Sequence, residues 1–125
     1  MYTLTRQVGE VIRHAVTCCA QLAGAEAPAY PEAEPDIAEL KARVAAARSF
    51  IEELSADAIN GTEAKPVAFT FRNGTQRQFT GQSMLLTFSL PQFMFHVTTA
   101  YDILRNNGVA LVKKDFMGTP PAIES

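Results

Sequence analysis

Met84-Leu85-Leu86-Thr87-Phe88-Ser89-Leu90-Pro91-Gln92-Phe93-Met94-Phe95-His96-Val97-Thr98-Thr99-Ala100-Tyr101-Asp102-Ile103-Leu104-Arg105-Asn106-Asn107-Gly108 is the stretch that decides how the chain folds. Leu86, Leu90, Phe93, Val97, Ala100 and Leu104 recur in it at alternating spacings of four and three, which is the pattern of one helical seam. Met84, Leu85, Phe88, Met94, Phe95 and Ile103 add apolar surface around that seam. The sequence therefore predicts a helix over 81–107, buried on most sides and closed by Gly108. Pro91 lies inside it and should bend it or remove one hydrogen bond.

Upstream of this helix the period changes. Val67, Phe69 and Phe71 alternate with Ala68, Thr70 and Arg72, so one face is apolar at period two. Asn73-Gly74 predicts a type I′ turn and a hairpin over 66–80. A two-stranded hairpin is marginal by itself, so it must lie against helices. Further back, Ile37, Leu40, Val44, Ala47, Ile51 and Leu54 mark a helix over 36–54, with Asp36 placed to cap it. Leu4, Val8, Val11, Ala15, Cys18 and Leu22 mark another over 3–23, ended by Gly24 as a left-handed cap. Between them, Pro28, Pro31, Pro35 and three glutamates make an exposed connection. Residues 109–125, with Gly118, Pro120 and Pro121, read as an extended tail.

At 125 residues the chain is a single mainly α domain, 1–125, and at 47% apolar and 19% charged it can build a core. A net charge of −2 argues against nucleic acid as a partner. No apolar run approaches the roughly 20 residues of a membrane span, and no signal-like stretch opens the chain. A cytoplasmic location is the default expectation. Cys18 and Cys19 are adjacent, which strains a mutual disulfide and predicts two buried small hydrophobes.

The run from Phe95-His96-Val97-Thr98-Thr99-Ala100-Tyr101 to Asn107-Gly108-Val109, then Lys113-Lys114-Asp115-Phe116-Met117-Gly118, resembles the domain-of-unknown-function family 1993. Leu4-Thr5-Arg6-Gln7-Val8 and Phe79-Thr80-Gly81 are similar to that family too. The resemblance implies an up-down helical bundle of the DinB/YfiT-like type, a superfamily that includes metal-dependent hydrolases and thiol S-transferases. It also implies a further helix before the segment matching Met1. The chain thus reads as three long helices of a four-helix bundle, with a hairpin before the last. The fourth helix either precedes Met1 in a longer reading frame or is missing. In the latter case the uncovered seam predicts a homodimer.

The superfamily's metal site uses three histidines, two of them four apart on the last helix. By that resemblance His96 matches one, while Gln92 and Gln7 stand where the others belong. Amides are poor ligands for zinc or nickel, so no metal is expected, and His96 is at most a weak candidate for a loosely bound divalent ion. Ser89, Gln92, His96 and Thr99 share a helix face at spacings of three, four and three. With Gln7 they are the candidate lining of a small-ligand pocket, against the simpler reading of an internal hydrogen-bond network. His14, on the flank of the first helix, is expected to be partly exposed. No catalytic constellation is present among the familiar motifs. The leading expectation is a non-catalytic small-ligand or protein-binding module with a degenerate metal site. The alternative is a metal-dependent hydrolase or thiol S-transferase using His96.

Overall fold

The computed structural model describes residues 2–31 and 33–122. The chain is mainly helical with one antiparallel hairpin. Helix α1 spans Leu4–Ala23, α2 Ile37–Glu53 and the short α3 Ala56–Ile59; strands β1, Pro66–Thr70, and β2, Gln76–Thr80, follow. A single α-helical turn, α4 (Gly81–Ser83), continues into a π-helical segment, Met84–Ser89, and then into α5, Leu90–Asn106. The short helix α6, Lys113–Met117, comes last.

Local chemistry sets these ends. Thr3 Oγ1 accepts from the Arg6 amide at 3.3 Å and Asp36 Oδ1 from the Glu39 amide at 2.8 Å, each filling one of the orphan donors of a helix start. Gly24 ends α1 in the left-handed conformation, φ 68°. Lys65 Nζ then donates to the carbonyls of Gln21 and Leu22 at 3.0 and 3.1 Å, placing a cation at the negative end of α1.

α1 is the central element. On one side Ile12 and Val16 pack with Ala47 of α2, and Tyr30 of the Pro-rich connection folds over them. Elsewhere Cys18 and Leu22 meet Val67 and Phe69 of β1 and Met84 of the π segment, with Phe71, Phe79 and Phe88 around them. Each large apolar side chain so buried contributes about 1.5–3 kcal/mol, which is how a hairpin too small to stand alone is held. Because neighbours approach from more than one side, alternate residues from Glu10 to Leu22 are buried. The single stripe expected from the sequence is therefore too narrow. Cys18 is buried and Cys19 half-buried, both free, and burial pushes both thiols up.

The hairpin pairs Val67 with Phe79 and Phe69 with Arg77, but its turn is not type I′. No non-glycine residue among those described has positive φ, and only Gly74 does in the turn, φ 86°. Gly74 N donates to Phe71 O at 2.9 Å and Phe71 N to Thr75 O at 2.8 Å. That is a type I turn followed by a glycine bulge, the three-residue alternative.

The long last helix departs from the sequence reading in a specific way. Its buried positions are Gly81, Met84, Ser89, His96 and Ala100, and the step from Met84 to Ser89 is five residues. The π turn supplies that step: Leu90 N bonds Leu85 O, five residues back. One extra residue in a turn shifts the inward face by about 100°. Leu86 and Leu90, placed on the seam by a constant period, are 52% and 46% exposed instead. The segment sits directly before Pro91, which has no amide to donate and whose ring would crowd the carbonyl four residues back. The tail is also not wholly extended. Asp115 Oδ2 accepts from the Val112 amide at 2.8 Å to start α6, and Phe116 packs edge-on against Tyr101. Residues 123–125 of the expected tail lie outside the described residues.

Gly81 is where the hairpin, the last helix and α1 meet. A Cβ there would lie 2.0 Å from the Thr62 carbonyl oxygen and 2.9 Å from Leu22 Cδ2. Gly81→Ala should destabilise the fold by about 2–4 kcal/mol, since backbone must move. Gly74→Ala, with open space around it, should lose only about 1 kcal/mol from its positive φ. Urea midpoints of the two variants check the order; equal losses would contradict it.

Candidate functional site

Four polar side chains from α1 and α5 are buried together: Gln7, Glu10, His14 and His96 are 1%, 4%, 4% and 7% exposed. Gln7, Glu10 and His14 recur at three and four residues, one face of α1. His96 approaches from α5, the helix that packs along α1. Its Nδ1 lies 2.6 Å from Gln7 Oε1, and Gln7 Nε2 in turn donates to the Tyr2 carbonyl at 3.4 Å. With the amide so placed, its oxygen must accept, so His96 carries its proton on Nδ1 and keeps the Nε2 lone pair free.

Glu10, His14 and His96 each bring one donor atom within 4.8 Å of the others. His14 Nε2 is 3.6 Å from Glu10 Oε2, too long for a hydrogen bond, and His14 Nδ1 has no partner among the described residues. The His14 ring stacks on Phe69 at 5.0 Å and on His96 at 5.9 Å. Glu10 is held from outside the helix pair. Arg72 of the hairpin turn donates from Nε at 3.1 Å and also from Nη2 to Glu10 Oε1, while Arg13 Nη1 stands 3.6 Å from Oε2.

Burial alone would raise the Glu10 carboxyl, but the hydrogen bond and charge of Arg72, with Arg13 and His14, outweigh it and hold the group below its ordinary value. Burial pushes His14 down to about 4; Glu10 opposes this, and His96 and Arg13 add repulsion. Burial lowers His96 too, against the pull of Glu10. Both imidazoles are thus neutral near pH 7, the state that coordinates metals. One carboxylate and two neutral imidazoles are a donor set suited to zinc, nickel or iron.

Of the residues singled out from the sequence, the structure joins Gln7 to His96. Ser89 is buried on the same helix, its hydroxyl without a partner. Gln92 and Thr99 are half-buried on its flanks, and Thr99 Oγ1 donates to the Phe95 carbonyl at 2.8 Å. His14, expected partly exposed, is among the most enclosed polar residues, because the hairpin covers that flank of α1. Glu10 was not a sequence candidate. Its helical spacing of four from His14 was readable, but its partner Arg72 lies 62 residues away.

These shifts fix a pH dependence for the metal-free chain. Between pH 6.5 and about 4 the unfolded chain protonates His14 while the folded chain does not. Stability is therefore fully present above pH 6.5 and falls as pH drops through that window, by on the order of 3 kcal/mol at most. Urea unfolding in chelator across pH 4–7 measures it. His14→Phe, which keeps the stack on Phe69, should flatten the slope; an unchanged slope would assign it elsewhere.

The family model described as domain of unknown function (DUF1993) matches residues 1–117. Among solved structures, the chain is similar to a DinB family member protein from Shewanella denitrificans, with 31% identity and a TM-score of 0.84. That likeness covers 100% of this chain and 70% of the other. No protein of curated function matches. By the family-model match the chain belongs to the DUF1993 family, and its helices and hairpin share the fold of a DinB family member.

Proposed function

We propose that this is a DinB-like divalent-metal protein in which Glu10, His14 and His96 hold the ion. The observation that carries the reading is the closure of these three donors to within 4.8 Å in a buried setting. The fit is supported by two further features. His14 has a buried ring nitrogen with no partner, and Gln7 fixes the His96 tautomer as an outer-shell residue does behind a metal-ligating imidazole. A metal on such a set would supply Lewis acidity and an activated water. The chain's own residues do the rest. Gln7 orients His96, Phe69 and Phe88 wall off His14, and Arg72 balances the Glu10 charge.

That last pairing favours a second reading, in which Arg72 permanently takes the cation's place and the chain is a non-catalytic binding module with a degenerate metal site. Titration of chelator-treated protein with zinc, and with cobalt for its visible spectrum, separates the two. The metal reading expects equimolar binding, roughly 10–100-fold weakening in Gln7→Ala, loss in the His14→Ala/His96→Ala double variant, and tightening in Arg72→Gln. Absence of equimolar binding, or binding indifferent to the double variant in a folded chain, favours the second reading.

We also infer self-association. Leu86, Leu90 and Met94 on the last helix and Ile37 and Val44 on α2 are 42–57% exposed, an apolar surface that supports the expected seam between two copies. Sedimentation should show a homodimer that Leu90→Glu/Met94→Glu converts to monomer; a monomeric parent chain at micromolar concentration would end this idea.

A further inference from the structure

A groove of about 780 Å³ lies between α1, the Pro-rich connection and the start of α2, and Arg72 of the hairpin turn also lines it. That volume falls within the range of small-molecule sites, about 300–1,000 Å³. Four arginines line it, Arg6, Arg13, Arg43 and Arg72, and the single carboxylate among its described lining residues is Glu34. The whole chain carries 13 acidic against 11 basic residues, so this sign is local and runs against composition.

The arginines differ in how far they are satisfied. Arg72 is engaged by Glu10, and Arg13 has Glu10 at 3.6 Å and the Thr70 carbonyl. Arg43 reaches the backbone carbonyls of Pro31 and Ala33, at 3.5 and 3.4 Å, and the face of Tyr30, 5.9 Å from the ring centroid; Arg6 reaches the face of Tyr2, 4.0 Å from the ring centroid. Neither Arg6 nor Arg43 has a carboxylate at ion-pair distance among the described residues. Tyr30, another lining residue, carries a buried hydroxyl with no hydrogen-bond partner among the described residues. Ile12, Val16 and Leu40 supply apolar wall, and at Gly9 a Cβ would meet nothing within 4 Å.

Guanidinium groups gathered in a concavity focus positive potential there, and their planar fork matches carboxylate and phosphate oxygens. From the juxtaposition of two arginines and a buried phenol that have no carboxylate or hydrogen-bonding side-chain partner among the described residues, beside an apolar wall, we propose that this groove binds a small organic anion. Its carboxylate or phosphate group is held by Arg6 and Arg43, and its apolar body rests on Ile12 and Val16. The groove borders the Glu10–His14–His96 cluster through Arg13 and Arg72, but Arg6 and Arg43 pair with none of those three residues, and anion binding there does not depend on metal binding.

Isothermal titration of the full chain with phenyl phosphate and benzoate, beside neutral benzyl alcohol and cationic benzylamine, tests this. At least one anion should bind saturably and more weakly as salt rises, while the neutral and cationic analogues should not. Whichever anion is tighter names the head group. Arg6→Gln/Arg43→Gln should weaken anion binding roughly tenfold or more, the loss of charge-assisted hydrogen bonds, and leave the zinc titration and thermal midpoint as they were. Arg43→Lys, which keeps the charge, should fall between the two. Benzyl alcohol binding as tightly as either anion, no anion binding at millimolar concentration, or full binding in the double variant would overturn the proposal. So would a dimer, seen by sedimentation, that shuts the anions out. A failed zinc titration leaves it standing.

Discussion

A carboxylate buried midway along the central helix is the constraint around which the rest is arranged. Removing an ionised carboxylate from water costs several kcal/mol unless it is paired, and Glu10 is 4% exposed. Its principal partner, Arg72, comes from the hairpin turn. The hairpin must therefore run along α1, and the other contacts follow from that path. Lys65 reaches the end of α1, Ala68 N donates to Gln21 Oε1, and Arg13 meets the Thr70 carbonyl while lying over Phe69. The hairpin is strapped down at both ends by charges and in the middle by Val67 and Phe69.

How much of this was legible in the sequence depends on whether the signal was local. Helix positions and the hairpin follow from periodicity and from caps such as Thr3, Asp36 and Gly24, all read within a few residues. The turn type was misread because Asn73-Gly74 satisfies two hairpin geometries, and the choice lies in the φ of Asn73. The face of the last helix was misread for a different reason. Leu86 and Leu90 are as apolar as Phe88 and Phe93, so composition cannot say which pair turns inward; the π turn decides.

The site was half legible. His96 stands out as a polar residue on an apolar helix and Gln7 through the family resemblance alone, and the structure joins them. Glu10 and His14 did not, since a glutamate and a histidine four apart on a helix flank look like a solvated pair. They become a buried pair only when the hairpin lands on them. Gln92 was assigned inward by its spacing of four from His96, yet the packed line of α5 runs from His96 to Ala100 and leaves Gln92 at its edge. The arginine groove was invisible for the same kind of reason, because its walls come from three separate parts of the chain.

The π turn has one more consequence. A helix apolar on two faces, with its phase set by a single widened turn, holds two packing solutions in one sequence. Rewinding that turn to a continuous α-helix with every residue kept would rotate everything before it by about 100°. Leu86 would swing toward the core and Met84 out of it, while His96 kept its place against Gln7. Residues 81–89 therefore act as a phase-adjuster between two rigid parts, letting the hairpin junction and the polar cluster each keep its own best packing on one continuous rod.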